Sequence, residues 1–304
     1  MSDSLSRGVV AERPPLGTQL SILSSRLRKI AERGTLYLVV LGGAFLMAVP
    51  FLWTLSISLR APGGADSIPI QWLPQHLTLI EYQQVLSQYG MGRYTLNSLI
   101  IAFLAAFGTM IASSLLGFAW VVFEFPGRRL LFSLLLLLLA LPTQVMIIPT
   151  YLIWSKVHAI DTYLPLTVPF FLGITSAFGI FLVRQYFMSI PRDFFDAAEL
   201  DGAWPLAIWL RIYVPLGLPA IVSAGLLAFI NSWNDVFGPL LYLNTQTKDT
   251  VQLGLLQLER GVFGSTPAEL LAAGSVISMI PILIVFVIAQ RWLVNGFVGT
   301  GLKG

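Results

Sequence analysis

The sequence predicts an all-α integral membrane protein with six transmembrane helices and both termini in the cytoplasm. Three observations predict it. First, 56% of the 304 residues are hydrophobic and 11% are charged, where a globular domain carries about 25% charged residues. Second, the apolar residues come in long blocks without an amphipathic period. Residues 36–57, 94–123, 130–155, 162–183, 212–234 and 270–290 contain no Asp, Glu, Lys or Arg. A helix needs about 20 apolar residues to cross a bilayer core, only helices or closed barrels satisfy their backbone there, and runs this long do not alternate as barrel strands do. Third, the basic residues are asymmetric. With the N-terminus inside, thirteen fall on cytoplasmic segments: Arg7, Arg13, Arg26, Arg28, Lys29, Arg33, Arg128, Arg129, Arg184, Arg192, Arg211, Arg291 and Lys303. Five fall outside: Arg60, Arg93, Lys156, Lys248 and Arg260. That is the positive-inside pattern, and it accounts for the net charge of +3 without a nucleic-acid partner.

Residues 1–35 form a polar arm with Arg13-Pro14-Pro15 and scattered Ser, a composition that disfavours order. The arm and the first apolar run are both long for a secretory signal, so the first helix, about 36–58, reads as a retained anchor. The outer loop over 60–93 holds Pro62-Gly63-Gly64, Pro69 and Pro74. Within it Thr78 and Glu81 have the spacing of a capping box for a short helix. The second helix spans about 94–123. Phe125-Pro126-Gly127-Arg128-Arg129 is a tight cytoplasmic turn, with Glu124 an interfacial charge beside it. The third helix covers about 130–154, with Gln144 between Pro142 and Pro149 reading either as the mark of a kinked gating region or as a packed polar residue. The fourth covers about 163–186. Helices five and six follow at about 212–242 and 270–291, and a glycine-rich tail closes the chain over 293–304. No inverted repeat is visible. There is no cysteine, so disulfides and thiolate ligands are excluded. His76 and His158 lie in outer loops without partners and read as surface residues rather than metal ligands.

The connection over 187–215 is the most informative segment. Ser189 and Pro191 suit a helix start, and Asp193 favours its N-terminal dipole. Asp201-Gly202 reads as a stop and turn, and Pro205 opens a second short helix through Arg211. Asp196, Ala197, Ala198, Asp201, Gly202 and Ala203 therefore sit on two short helices joined by a sharp turn. The small alanines allow a partner to approach the backbone closely.

This segment resembles the EAA loop of bacterial ATP-binding-cassette importer permeases. That pattern is Glu-Ala-Ala, two residues, Asp-Gly-Ala, a variable stretch, then an aliphatic residue and Pro. Here it reads Asp196-Ala197-Ala198, Asp201-Gly202-Ala203, Ile212 and Pro215. Asp196 in place of Glu keeps the charge and shortens the reach. Asn97-Ser98-Leu99, Phe125-Pro126-Gly127-Arg128, Ser189-Ile190-Pro191, Trp233-Asn234-Asp235 and the stretch from 273 to 304 are similar to the carbohydrate-uptake branch, nearest the smaller permease subunit of maltose-type systems. The resemblance covers about residue 36 to the end. It implies the type I importer permease fold, a bacterial inner-membrane location and an ATPase-docking role for residues 196–203. It also implies the partners: a second homologous permease subunit, two ATP-binding-cassette ATPase subunits, an extracytoplasmic solute-binding protein and a sugar substrate. ATP and Mg then belong to the partner ATPase. The chain itself needs no cofactor and contains no Gly-Lys dipeptide, so it carries no P-loop.

Polar residues inside a span face a cavity or another helix. Asn231, Asn234, Asp235, Gly238 and Tyr242 follow helical spacing on one stripe, with Trp233 among them. Ser275 and Ser278 are three apart on helix six. An aromatic ring beside amides and hydroxyls suits a sugar. Interhelical packing is the competing account of the same residues. A secondary transporter or channel for a small polar solute is the alternative function. It needs an ion-coupling carboxylate within a span, for which Asp235 is the only clear candidate. A membrane enzyme ranks below both.

Overall fold

The computed structural model describes residues 16–65, 72–261 and 266–301, and every regular element among them is helical. Two compact units are present, 1–53 and 54–304. The first holds most of α1 (Leu16–Ser58). This helix begins twenty residues before the expected start of the first span; residues 1–15 lie outside the described set. Leu, Arg, Lys, Glu and Ala make up half of the added turns and favour helix.

The second unit contains α2 (Ile80–Ser87), α3 (Met91–Val122), α4 (Arg128–Ala140), α5 (Ile147–Lys156), α6 (Leu164–Phe171) and α7 (Ala177–Phe187). These are followed by α8 (Asp193–Leu200), α9 (Pro205–Ile208), α10 (Val214–Trp233), α11 (Phe237–Tyr242), α12 (Val251–Glu259) and α13 (Ala268–Gly301). Helix α3 is the central post and packs chiefly on α10, α7 and α6. Helix α13 packs chiefly on α10. The α3–α7 seam is close: a side chain at Gly117 would meet the Arg184 amide at 3.2 Å and Val183 at 3.2 Å.

Among the described residues, four helices are long and apolar enough to cross a bilayer, covering Glu32–Ser58, Met91–Val122, Pro205–Trp233 and Ala268–Leu293. The expected third and fourth spans are each broken. Proline at 142 ends α4, a 3-10 turn over Thr143–Met146 follows, and α5 restarts at Ile147. Helix α6 carries Pro169 and stops before Gly173, whose φ of +78° is open to glycine at little cost. The fifth expected span is also interrupted, between Trp233 and Phe237. Its start lies earlier than expected, because α9, a π-turn over Trp209–Tyr213 and α10 run on as one helix.

Two predicted caps form differently. The Ser189 hydroxyl donates to the Tyr186 carbonyl at 2.6 Å, and α8 begins only at Asp193. Thr78 accepts from the Ile80 amide at 3.2 Å, but Glu81 turns inward and is 1% exposed.

Candidate coupling surface and solute path

Helix α8 is eight residues long and two-faced. Phe195 is buried among Phe118, Tyr213 and Phe187. The Phe118 ring lies 6.5 Å from Phe195 and 4.8 Å from Tyr213, which in turn lies 5.2 Å from Phe187. One aromatic cluster thus joins α8 to the ends of α3 and α7 and to the π-turn leading into α10. Edge-to-face pairs of this kind add about 0.5–1.5 kcal/mol each beyond area burial.

The other face is open. Asp196, Ala197, Asp201 and Gly202 are exposed, and Ala198 and Ala203 are half-buried against the aromatic cluster. Leu200 is 89% exposed and Trp204 is 64% exposed, so the turn offers apolar side chains with nothing of this chain over them. Asp196 lies 3.6 Å from Arg192 one turn earlier, an exposed i,i+4 pair of small energetic weight. The helix ends as a Schellman turn: the Ala203 amide donates to the Ala198 carbonyl at 3.0 Å and the Gly202 amide to Glu199 at 3.0 Å. Gly202 sits at φ +79°. All six residues of the predicted loop are brought together here.

The predicted solute-path residues separate. Asn231 and Asn234 are exposed. Asn234 donates to the Ile230 carbonyl at 2.9 Å and accepts from Gln252 of α12 at 3.4 Å. Asp235 accepts the Gly238 amide at 3.1 Å and so starts α11. Trp233 is 1% exposed, stacks on Phe229 with ring centroids 5.9 Å apart, and donates its indole N–H to the Ser278 carbonyl at 3.2 Å. Ser278 and Ser275 donate to the Ser275 and Leu271 carbonyls of their own helix. Trp233 and Ser278 therefore meet in the α10–α13 seam, apart from the exposed amides. The side chain of Gln144 and residues 302–304 lie outside the described set. His76 and His158 are both exposed.

At the end of the bundle away from α8, a polar network joins distant connections. Asp161 accepts from the Asn244 and Thr245 amides at 3.0 Å each, the Thr245 hydroxyl at 2.7 Å and the Lys248 ammonium at 2.7 Å. These partners, Lys248 first, hold its carboxyl well below the usual range. Its backbone takes a left-handed φ of +59°, and its amide donates to the Tyr242 carbonyl at 2.7 Å. Asn97 donates to the Thr247 and Asp249 carbonyls at 3.1 and 2.8 Å, and Ser98 accepts from the Val251 amide at 2.8 Å. Sequence reasoning missed Asp161 and Lys248, because the groups that meet on Asp161 lie more than 80 residues away in the chain.

A family model described as binding-protein-dependent transport system inner membrane component matches residues 109–298, which takes in the α8 turn and the polar end of α10. The chain belongs to that family. Among related permeases, the arabinooligosaccharides transport system permease protein AraQ of Bacillus subtilis (strain 168) is 32% identical over 212 residues, covering 70% of this chain and 74% of the relative. The sn-glycerol-3-phosphate transport system permease protein UgpE of Brucella abortus (strain 2308) is 31% identical over 271 residues, covering 87% and 95%. Among solved structures, a bacterial ABC transporter involved in the import of the acidic polysaccharide alginate superposes with a TM-score of 0.73 at 24% identity, covering 87% of this chain and 97% of that one. The same fold recurs, at a TM-score of 0.60 and 16% identity, in a bacterial alginate ABC transporter in complex with an alginate pentasaccharide-bound periplasmic protein.

Proposed function

We propose that this permease is one transmembrane subunit of a type I ATP-driven importer that moves a sugar or oligosaccharide into the bacterial cytoplasm. The α4–α5 and α6–α7 pairs cross the membrane as interrupted spans, giving six crossings with both termini inside. The subunit pairs with a second, homologous permease and receives its cargo from an extracytoplasmic solute-binding protein. Two ATP-binding-cassette ATPase subunits bind ATP and Mg and supply the work; this chain is not an enzyme.

The observation that carries the reading is the α8 turn. Its exposed face presents Leu200 and Trp204 beside Asp196, Asp201 and Gly202, while its inner face is anchored by Phe195 in the aromatic cluster. Burying an apolar side chain of this size contributes about 1.5–3 kcal/mol, so a cleft in an ATPase that covers the turn gains a firm hold. Displacement of α8 then moves Phe118, Phe187 and Tyr213 together, and with them α3, α7 and α10. Asn231 and Asn234 are the residues of this chain offered to the solute path, since both are exposed and a neutral amide can bond a sugar hydroxyl without a charge.

The sugar reading is favoured over a proton- or sodium-driven transporter by Asp235. Its carboxylate starts α11 and so has a structural task in place of ion coupling. The test is co-expression with the ATPase, followed by reconstitution with the binding protein. Asp201→Lys with Gly202→Leu should abolish ATPase co-purification and ATP-driven uptake. Uptake that persists in this variant, or that follows a proton gradient without ATP, overturns the proposal.

A further inference from the structure

Near the α8 end, a cavity of about 450 Å³ opens between the end of α3, the turn before α4 and the 188–192 connection. Val121, Val122 and Ile190 give it apolar walls, and Arg128, Arg192 and Tyr213 give it a polar rim. Among the described residues Arg128 makes no ion pair. Arg192 leans 3.6 Å from Asp196, and Glu124 is exposed in the neighbouring turn. A third cation stands behind. Arg184 lies within electrostatic reach of Arg128, its guanidinium is 4.1 Å over the Phe132 ring, and its buried Nε has no hydrogen-bond partner among the described residues.

Arg128 and Arg192 thus line the cavity with Arg184 behind them, and among the described residues Asp196 is the acid that an ion pair ties to this group. Such a basic recess draws anions. Its surroundings narrow the kind of anion. Arg128 opens α4, and that helix leaves Leu130, Leu131, Leu134, Leu137 and Leu138 exposed. The basic rim therefore passes directly into a leucine face long enough to lie along acyl chains. Cationic pockets beside apolar helices on the cytoplasmic side are where anionic headgroups bind.

The geometry points to a binding site for the phosphate headgroup of an anionic phospholipid of the inner leaflet, held by Arg128 and Arg192 with its acyl chains on the α4 leucines. The inference rests on the inside orientation of α8 in the proposed function. Because Ile190, Arg192 and Phe195 line the same cavity, a bound lipid touches the back of α8, opposite the face offered to the ATPase.

The experiment is native mass spectrometry of the full chain released from nanodiscs of equal phosphatidylglycerol and phosphatidylcholine. Wild-type protein retains phosphatidylglycerol in clear excess. Arg128→Gln lowers that preference about five-fold, the worth of one cation at an anionic surface. Arg129→Gln, whose side chain is exposed and does not line the cavity, lowers the preference less than Arg128→Gln does. Val122→Trp, which fills the cavity and changes no charge, removes it. Equal retention of both lipids by wild type overturns the site, and so does a preference unchanged in Arg128→Gln and Val122→Trp. Millimolar inorganic phosphate that binds the wild type while lipid selectivity is absent assigns the recess to a free anion and overturns the lipid. Failure of an ATPase to co-purify counts against the proposed function and leaves this readout standing.

Discussion

Replacing Gly202 by Ala isolates what the α8 turn needs from its backbone. At φ +79° the residue is in the left-handed region, which costs an L-residue with a Cβ about 1–2 kcal/mol. No atom of this chain lies within 4 Å of a Cβ placed there, so crowding adds nothing and the torsional cost is the whole effect. That cost shifts the balance between the Schellman turn and its alternatives by about 5–30-fold. Overall stability should hardly change, because the turn is exposed. Docking that selects the intact turn should weaken, read as the permease concentration needed for half-maximal stimulation of the ATPase in a reconstituted titration. Asn tolerates the left-handed region better, so Gly202→Asn should fall between wild type and Gly202→Ala. An Ala variant that titrates like wild type refutes the torsional argument. An Asn variant worse than Ala refutes it differently, by showing that side-chain size at a close partner contact is what matters.

Phe195→Ala removes the one buried side chain of α8 and should cost about 3–5 kcal/mol locally; protection of the α8 amides in hydrogen exchange should collapse while α3 and α10 stay protected. Trp233→Phe keeps the stack on Phe229 and loses the indole bond to Ser278, a change of about 1 kcal/mol; uptake KM should be unchanged, and a large KM shift would return the ring to the solute path. Glu81 is buried beside Glu269, and burial first, then that neighbouring charge, raises its carboxyl. A raised acid is harmless while protonated, so stability is highest below the ordinary carboxyl range, falls as pH rises through the raised value, and is flat beyond. Glu81→Gln should flatten that fall in thermal unfolding measured from pH 4 to 8, and an unchanged slope would refute the assignment.

The all-helical fold with long apolar helices was legible in sequence because hydrophobic length reports directly on the bilayer. The helix–turn–helix of α8 and α9 was legible because Asp193, Gly202 and Pro205 each act through local backbone chemistry. The breaks were less so. Pro142 was visible as a kink, but apolar composition cannot tell an unbroken span from α6 and α7 joined at a left-handed Gly173. Trp233 stands apart from the exposed amides for a geometric reason: two residues on from Asn231 it points about 200° around the helix, into the α13 seam. The polar stripe also assumed one helix through residue 242, whereas α10 ends at Trp233. Asp161 was invisible because its partners are more than 80 residues away in the chain.

The tie at Asp161 has a mechanical corollary. Four donors meet on one carboxylate, and the same residue's amide and carbonyl add bonds to Tyr242 and Lys248. The connection after α5 and the connection after α11 are therefore tied at one residue, and while these bonds hold a displacement of either connection is carried to the other.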